Sequence, residues 1–388
     1  MHLTSITLRQ FRNHRDLTLR TGPRLNLLVG PNGSGKTNIL EAVAVLTTGF
    51  SPRITGSDGF LQWGEKGFYI SGVFAPDGGE DQTITLEMKF LDGQRHIKRD
   101  SQTGMRLKDL IGTVPVVSFF PEDLAVIKGE PELRRRALNL VLMQIDPLYT
   151  ENLRRYNEAL RSRNAALRQL AEGEISEDAL EPWDEELIKY ALPVCARRSE
   201  FLEDFSPVYA QIQERISEGA DSAHLEYRPS FPGPWESKDF VRLKENIKNL
   251  HQKDIVLGAT MAGPHRDDIL FYLNQKAART FGSEGQIRTC ALAFKLAELD
   301  IIRRVKNEEP ICLLDDILSE LDGARAECLL SELSRMGQCF VTMTGLESWP
   351  KRQINSAVIF HVGPGGQVEE AETMKLVNPE VHRSSRMN

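Results

Sequence analysis

Cysteine is scarce in this chain, and its five residues (Cys195, Cys290, Cys312, Cys328 and Cys339) are scattered without C-x-x-C spacing. That pattern excludes a disulfide frame and a zinc ribbon, and it reads as buried thiols in a reducing compartment. Long apolar runs are missing as well, since no stretch approaches the ~18 residues that cross a bilayer. The first eleven residues alternate apolar and polar side chains like a strand, unlike a secretory leader. A cytoplasmic protein with no membrane anchor is expected. There is no excess of positive charge: the formal net is −7 over 388 residues, so any nucleic-acid surface must be a local basic patch. No internal repeat is visible, and the length suits one large or two moderate domains.

What is present begins with Gly30-Pro31-Asn32-Gly33-Ser34-Gly35-Lys36-Thr37, a match to G-x-x-x-x-G-K-[ST]. Glycines allow backbone amides to close round a β-phosphate, the lysine reaches the β- and γ-oxygens, and the threonine hydroxyl ligates Mg²⁺. The context is right, with Leu25 to Val29 reading as a buried strand and Thr37 to Leu46 as a helix. ATP and Mg²⁺ are therefore the expected cofactors. Nearly 280 residues later, Ile311-Cys-Leu-Leu-Asp315-Asp316 ends an apolar run on two carboxylates. Asp315 is placed to hold the metal opposite Thr37, and Asp316 to orient the attacking water. Alone such a run is weak, because many strands end on a solvated acidic turn; the phosphate loop gives it meaning.

Ser283-Glu-Gly285-Gln286 opens a helical stretch, Arg288 to Arg304, ahead of the Asp315 strand. A helix start of this kind is either an ordinary N-cap or an anion site. Followed by Asp-Asp and Ser319-Glu-Leu-Asp322, it gives the order expected of an ABC-type ATPase head. In such heads this loop closes on nucleotide held by another subunit, so an ATP-dependent homodimer is expected.

The separation of the two halves of the site predicts an α/β fold, a P-loop head split in sequence by a mainly helical insertion. The expected divisions are residues 1–122 and 256–365 as the two halves of the head, 123–255 as the arm and 366–388 as a flexible tail. Predicted strands are Leu3 to Leu8, Leu25 to Val29, Phe68 to Phe74, a hairpin of Thr83 to Phe90 with Gln94 to Lys98, Pro115 to Phe120, Cys339 to Thr342 and Ala357 to Val362. In the arm, Leu153, Leu160 and Leu167 repeat at seven, as do Leu187, Val194 and Phe201. An antiparallel helical hairpin fits, with residues 171–186 as an acidic tip; a plain helical core is the alternative, and Arg163 and Arg198 interrupt the seam. From Arg134 to Arg168 there are eight arginines, no lysine and three acidic residues. Arg154, Arg161 and Arg168 lie seven apart on one helix face, which suits backbone recognition of DNA or else is a solvated face.

Taken together, Gln10-Phe-Arg12-Asn13-His14, the phosphate loop through Glu41, Phe120-Pro-Glu-Asp123, Gly263-Pro-His-Arg-Asp-Asp268, Ser283 to Thr289 and Leu313 to Asp322 resemble the bacterial RecF family. The match runs in order from residue 1 to about 346. The resemblance implies an ATP-dependent dimer that binds double-stranded or gapped DNA and helps RecO and RecR load a recombinase at gaps, in support of replication and SOS induction. It also implies that Arg12 and Asn13 approach the nucleotide phosphates, and that Ser283, Gly285 and Gln286 act in trans. Relative to the wider ABC pattern, Asp316 stands where Glu is usual. No glutamine is visible near Phe119-Phe120, and Thr342-Met-Thr344 replaces the switch histidine. Hydrolysis is therefore expected to be weak, DNA-stimulated and chiefly a dimerisation switch. Asn139 stands where the family pattern has Asp. An ABC-transporter nucleotide subunit, another SMC-like chromosome ATPase and a P-loop kinase are the alternatives.

Overall fold

The computed structural model describes residues 1–371 except 52, 54–57, 78–81, 101, 232–239, 318–325, 327–328, 330, 332–336, 347–348, 350–353 and 355. Ser319 to Asp322 and Cys328 lie outside the described residues, as does the expected tail beyond 371. The chain divides into two compact units, one of residues 1–122 with 306 onward, the other of Asp123–Val305.

The first unit is built on two six-stranded sheets. One is antiparallel throughout, in the order His14–Arg20, His2–Phe11, Gly67–Ala75, Ile84–Leu91, Gln94–Arg99 and Gln102–Met105. The other runs Val368–Ala371, Val358–Val362, Leu25–Val29, Cys339–Met343, Ile311–Asp315 and Val116–Phe119. All its pairings are parallel except that of Val368–Ala371. Its strands Leu25–Val29, Cys339–Met343 and Ile311–Asp315 are largely apolar, as strands covered on both faces must be, with Asn26 and Thr342 among the buried polar exceptions. The Lys36–Thr48 helix carries Ile39, Leu40, Val43 and Leu46 into one core shared with Leu3, Ile6 and Leu86 of the first sheet and Leu28, Leu313 and Phe340 of the second. A helix apolar on nearly every side is what such a sandwiched position requires. The parallel register sets Thr342 beside Asp315 on one flank and beside Leu28 on the other. The phosphate loop and both aspartates therefore leave neighbouring carboxyl ends of the sheet, where open α/β sheets bind ligands.

The second unit contains the helical hairpin, Pro147–Ala171 and Glu181–Ile216, about 37 and 54 Å long. Contacts from Arg163 to Asp184 and from Arg198 to Tyr149 fix an antiparallel register. Leu153, Leu167, Leu187, Val194 and Phe201 are buried along it and Leu160 is half-buried, in line with the expected heptad stripes. The acidic tip is shorter than the sequence suggested, because the second helix begins at Glu181 with Pro182 in its first turn.

Two expectations about the divisions change. Residues 256–305, assigned by sequence to the head, cluster with the hairpin. The reason is packing: Asp268–Leu273 pairs with Ala223–Arg228 in a three-stranded sheet, and Phe294 of the Glu284–Lys306 helix meets Phe205 and Phe271 edge-on at 5.2 and 5.5 Å. The insertion is thus a mixed helical and β unit. Residues 366–371 are no tail either, since Val368–Ala371 pairs antiparallel with Val358–Val362.

Candidate nucleotide-binding site

Each glycine of the phosphate loop meets a different demand. A Cβ on Gly30 would lie 2.1 Å from the Val362 carbonyl oxygen, while Gly33 and Gly35 have φ of +78° and +112°. Gly35 also faces the Asn13 side chain, 2.4 Å from where its Cβ would stand. Only glycine combines these conformations with so close an approach. Pro31, Asn32 and Gly33 are exposed at the loop's crest. Lys36 folds back on the loop, its Nζ donating to the Gly30 and Pro31 carbonyls at 2.7 and 2.9 Å. Burial lowers the lysine's pKa, opposed by the charges of Asp316 and Asp315. Ser34 Oγ is buried and has no hydrogen-bond partner in the described structure. An orphaned hydroxyl inside a ring of amides and a folded lysine is chemistry that an oxyanion such as a phosphate satisfies.

The fold brings the two distant halves of the site together. Thr37 Oγ1 donates to the Asp315 carboxylate, 2.8 Å from Oδ1 and 2.9 Å from Oδ2, across 278 residues. Burial raises the Asp315 pKa, and hydrogen bonds from Thr342 and Thr37 oppose that shift. A hydroxyl and a carboxylate in contact are hard oxygen donors suited to Mg²⁺ with nucleotide phosphates. Asp316 follows in the left-handed region at φ +49°, and its N–H donates to Thr342 Oγ1 at 2.9 Å. The Thr342 hydroxyl itself donates to Asp315 Oδ1 at 2.8 Å.

Of the two residues expected at the phosphates, Asn13 touches the loop and Arg12 pairs with the helix behind it. Asn13 Nδ2 donates to the Ser34 carbonyl at 2.9 Å, and its Oδ1 accepts from Asn38 at 2.8 Å, so it braces the loop backbone. Arg12 makes a bidentate pair with Glu41, Nε and Nη2 donating at 2.9 and 2.8 Å. Its guanidinium also lies 5.7 Å from the Phe60 ring centroid. In this structure Arg12 is committed to Glu41, which is wholly buried and accepts from Ser51 Oγ at 2.6 Å. His14 sets its two ring nitrogens 3.1 Å from the Gly366 and Gly35 carbonyl oxygens. Burial lowers the His14 pKa, and the hydrogen bonds to the Gly35 and Gly366 carbonyls oppose that shift. Neither Glu41 nor His14 was assigned a role from sequence; the signal available was a lone charged residue within the apolar Ile39 to Leu46 run.

Ser283 and Gln286 belong to the second unit. The Ser283 N–H donates to Gln286 Oε1 at 2.9 Å, and the Gln286 N–H to Ser283 Oγ at 3.3 Å, a reciprocal capping box. Gln286 Nε2 also donates to Asp221 at 2.8 Å, and Gly285 lies in the first turn that this box closes.

The arginine run divides by burial. Arg163 is fully buried, with Nε donating to Asp184 and Nη1 to Asp254, each at 2.7 Å. Arg134 pairs with Asp268, and Arg135 donates to the Asp267 carbonyl at 2.7 Å. Arg154 is flanked on its own helix by Glu151 and Glu158, both at 2.5 Å. Of the three arginines expected along one face, Arg154 is thus paired on its own helix, while Arg161 and Arg168 are exposed. The Gly263 to Asp268 segment also has a structural explanation. Asp267 accepts from Arg198 at 2.8 Å, from Tyr227 Oη at 2.5 Å and from the Ser230 N–H at 2.9 Å. His265 lies 2.5 Å from Tyr156 Oη. Asn139 accepts from both Tyr149 and Arg198, so an amide serves this hub where the family pattern has a carboxylate.

Residues 5–113 match the family described as AAA domain. The chain is 39% identical over 368 residues to the DNA replication and repair protein RecF of Heliobacterium modesticaldum, covering 94% of this chain and 98% of that protein. It is 37% identical over 372 residues to the protein of that name from Listeria monocytogenes serotype 4b, covering 94% and 99%. The solved structure of the recombination mediator protein RecF with ATP in the RecFOR pathway superposes with a TM-score of 0.88 at 29% identity, covering 96% and 98%. An Smc head domain from Pyrococcus furiosus shares the fold, with a TM-score of 0.53 at 17% identity. The α/β fold is thus that of an ABC-type P-loop ATPase head. Coverage at both ends of the alignment displaces the transporter and kinase readings, and the chain belongs to the RecF family.

Proposed function

We propose that this protein is an ATP-dependent DNA-binding protein of recombinational repair, whose ATP-loaded form is a homodimer. The observation that carries this reading is the junction of Thr37 and Asp315 beside the phosphate loop. Gly30 to Thr37 hold the phosphates, with Lys36 released from the Gly30 and Pro31 carbonyls to meet them. Thr37 and Asp315 hold Mg²⁺, which neutralises phosphate charge when bound. Asp316 polarises the attacking water, Asn13 braces the loop at the Ser34 carbonyl, and Arg12, freed from Glu41, approaches the nucleotide phosphates. Ser283, Gly285 and Gln286 present a helix start to the γ-phosphate on a second subunit, as anion sites at helix N-termini do. Hydrolysis is weak and DNA-stimulated, and it ends the dimer's lifetime on DNA.

Family membership supports the setting of that cycle. Its DNA substrate is double-stranded or gapped, its partners are RecO and RecR, and its place is the cytoplasm, where it aids replication and SOS induction after damage. The hydroxyl of Thr342 is engaged by Asp315, and no histidine stands in its place, which accords with slow turnover.

Sedimentation of the full chain with Mg²⁺–ATP, alone and with gapped duplex, tests the reading. A dimer that needs ATP and binds the duplex is expected. Asp316→Asn should retain Mg²⁺–ATP, lose hydrolysis and remain dimeric after the parent has dissociated. A chain that stays monomeric with saturating ATP and DNA would overturn the proposal.

A further inference from the structure

Thr342 lies in the strand between the one that leads into the phosphate loop and the one that ends on Asp315. It is 2% exposed and stands level with Asp315 in the parallel register. A threonine hydroxyl has one proton and two lone pairs. One lone pair takes the Asp316 N–H at 2.9 Å, so the proton is left to point at Asp315 Oδ1, 2.8 Å away. This one oxygen therefore fixes two adjacent residues by opposite means: it donates to the carboxylate of the first and accepts from the backbone of the second. Oδ1 then accepts from Thr342 and shares the single Thr37 proton with Oδ2. The backbone bond also secures Asp316 at φ +49°, a conformation uncommon away from glycine.

We propose that Thr342 is a positioning residue that sets the Asp315 carboxylate for the metal and the Asp316 backbone for its role beside the γ-phosphate. The proposal rests on the reading of Thr37 and Asp315 as the Mg²⁺ pair. A ligating carboxylate whose second oxygen is hydrogen-bonded keeps one orientation, and losing that support weakens metal affinity. Thr342 acts through its neighbours, its hydroxyl being bonded to Asp315 and to the Asp316 N–H. Valine is its isostere without the hydroxyl; alanine and serine differ from each other only by that hydroxyl.

The test titrates Mg²⁺ into full-length protein mixed with a fluorescent ATP analogue, for the parent and for Thr342→Val, Thr342→Ala, Thr342→Ser and Asp315→Asn. Nucleotide binding without Mg²⁺ and the thermal midpoint without nucleotide are measured alongside. Thr342→Val and Thr342→Ala should need about 10- to 150-fold more Mg²⁺ to saturate, the range for one hydrogen bond to a charged group. Their Mg²⁺-free binding should be unchanged, and Thr342→Ser should stay close to the parent. If Thr342→Val does not fold, the alanine and serine pair decides. Equal Mg²⁺ requirement for alanine, serine and parent, with a raised requirement for Asp315→Asn, would overturn the role of Thr342 alone. An Asp315→Asn protein with the parent's Mg²⁺ requirement would remove the metal reading beneath it.

Discussion

Arg163→Ala isolates what the arginine run is for. The side chain is fully buried, its Nε held by Asp184 and its Nη1 by Asp254 at 2.7 Å, with Thr260 Oγ1 accepting at 2.8 Å. The two carboxylates are buried as well. Asp184 lies in the Glu181–Ile216 helix and Asp254 in Phe240–Leu257, so the guanidinium ties three helices together. Truncation removes the guanidinium from both buried aspartates, leaving Asp184 with His251 Nε2 at 2.8 Å and Asp254 with the Met261 N–H at 3.0 Å. Removing one partner of a buried pair costs about 3–5 kcal/mol. For a unit of this size each kcal/mol moves the midpoint by about 2–4 °C, so a fall of roughly 6–20 °C is expected. Differential scanning calorimetry of the full chain would read it in the transition of the second unit. Arg161→Ala, two residues away on the opposite face of the helix and exposed, should leave that midpoint near the parent's. Reversing Arg161 and Arg168 should instead flatten the salt dependence of DNA binding, by about 0.9 in log–log slope for each phosphate no longer neutralised. If Arg163→Ala and Arg161→Ala melt alike, the buried triad does not hold the hairpin, and the division of the arginines by burial is wrong.

Lys36→Ala should weaken ATP binding by roughly 10- to 150-fold in a filtration assay while the fold persists, since Nζ donates to the loop carbonyls of Gly30 and Pro31. Ser283→Asp keeps an N-cap acceptor but sets a negative charge toward a partner's γ-phosphate, so it should leave the thermal midpoint near normal and abolish ATP-dependent dimerisation; Ser283→Ala, which loses the cap, should cost about 0.5–2 kcal/mol of stability instead. Asp315 gives a pH dependence. Its pKa in the folded chain is raised, so the unfolded chain loses this proton first as pH rises, and the residue destabilises the free protein above the folded pKa. Asp315→Asn should therefore raise the midpoint of the nucleotide-free protein near pH 8 and do so progressively less as pH falls through the Asp315 pKa, while the added stability from Mg²⁺–ATP disappears.

Much of the site was legible because its chemistry is local. The turns at Gly30 to Gly35, the lysine and threonine that follow, and an apolar strand ending in two aspartates are each written within a few consecutive residues. The arm's seam was legible for the same reason, since Leu153, Leu160 and Leu167 repeat at the spacing of a helix face. Strand register and ion-pair geometry are not local. Sequence placed residues 256–305 with the head, and only the pairing of Asp268–Leu273 with Ala223–Arg228 drew them to the hairpin. It counted eight arginines as local basic material and aligned three of them on one face, but could not show that burial makes Arg134 and Arg163 meet aspartates 134 and 91 residues away. Thr342 read as a missing histidine, and its hydroxyl acquired a purpose only when parallel pairing set it level with Asp315. Spacing along the chain fixes which side chains share a turn, a loop or a helix face. Which polar groups must satisfy one another across 100 or more residues is decided when the core closes and excludes the water that would otherwise pair with them.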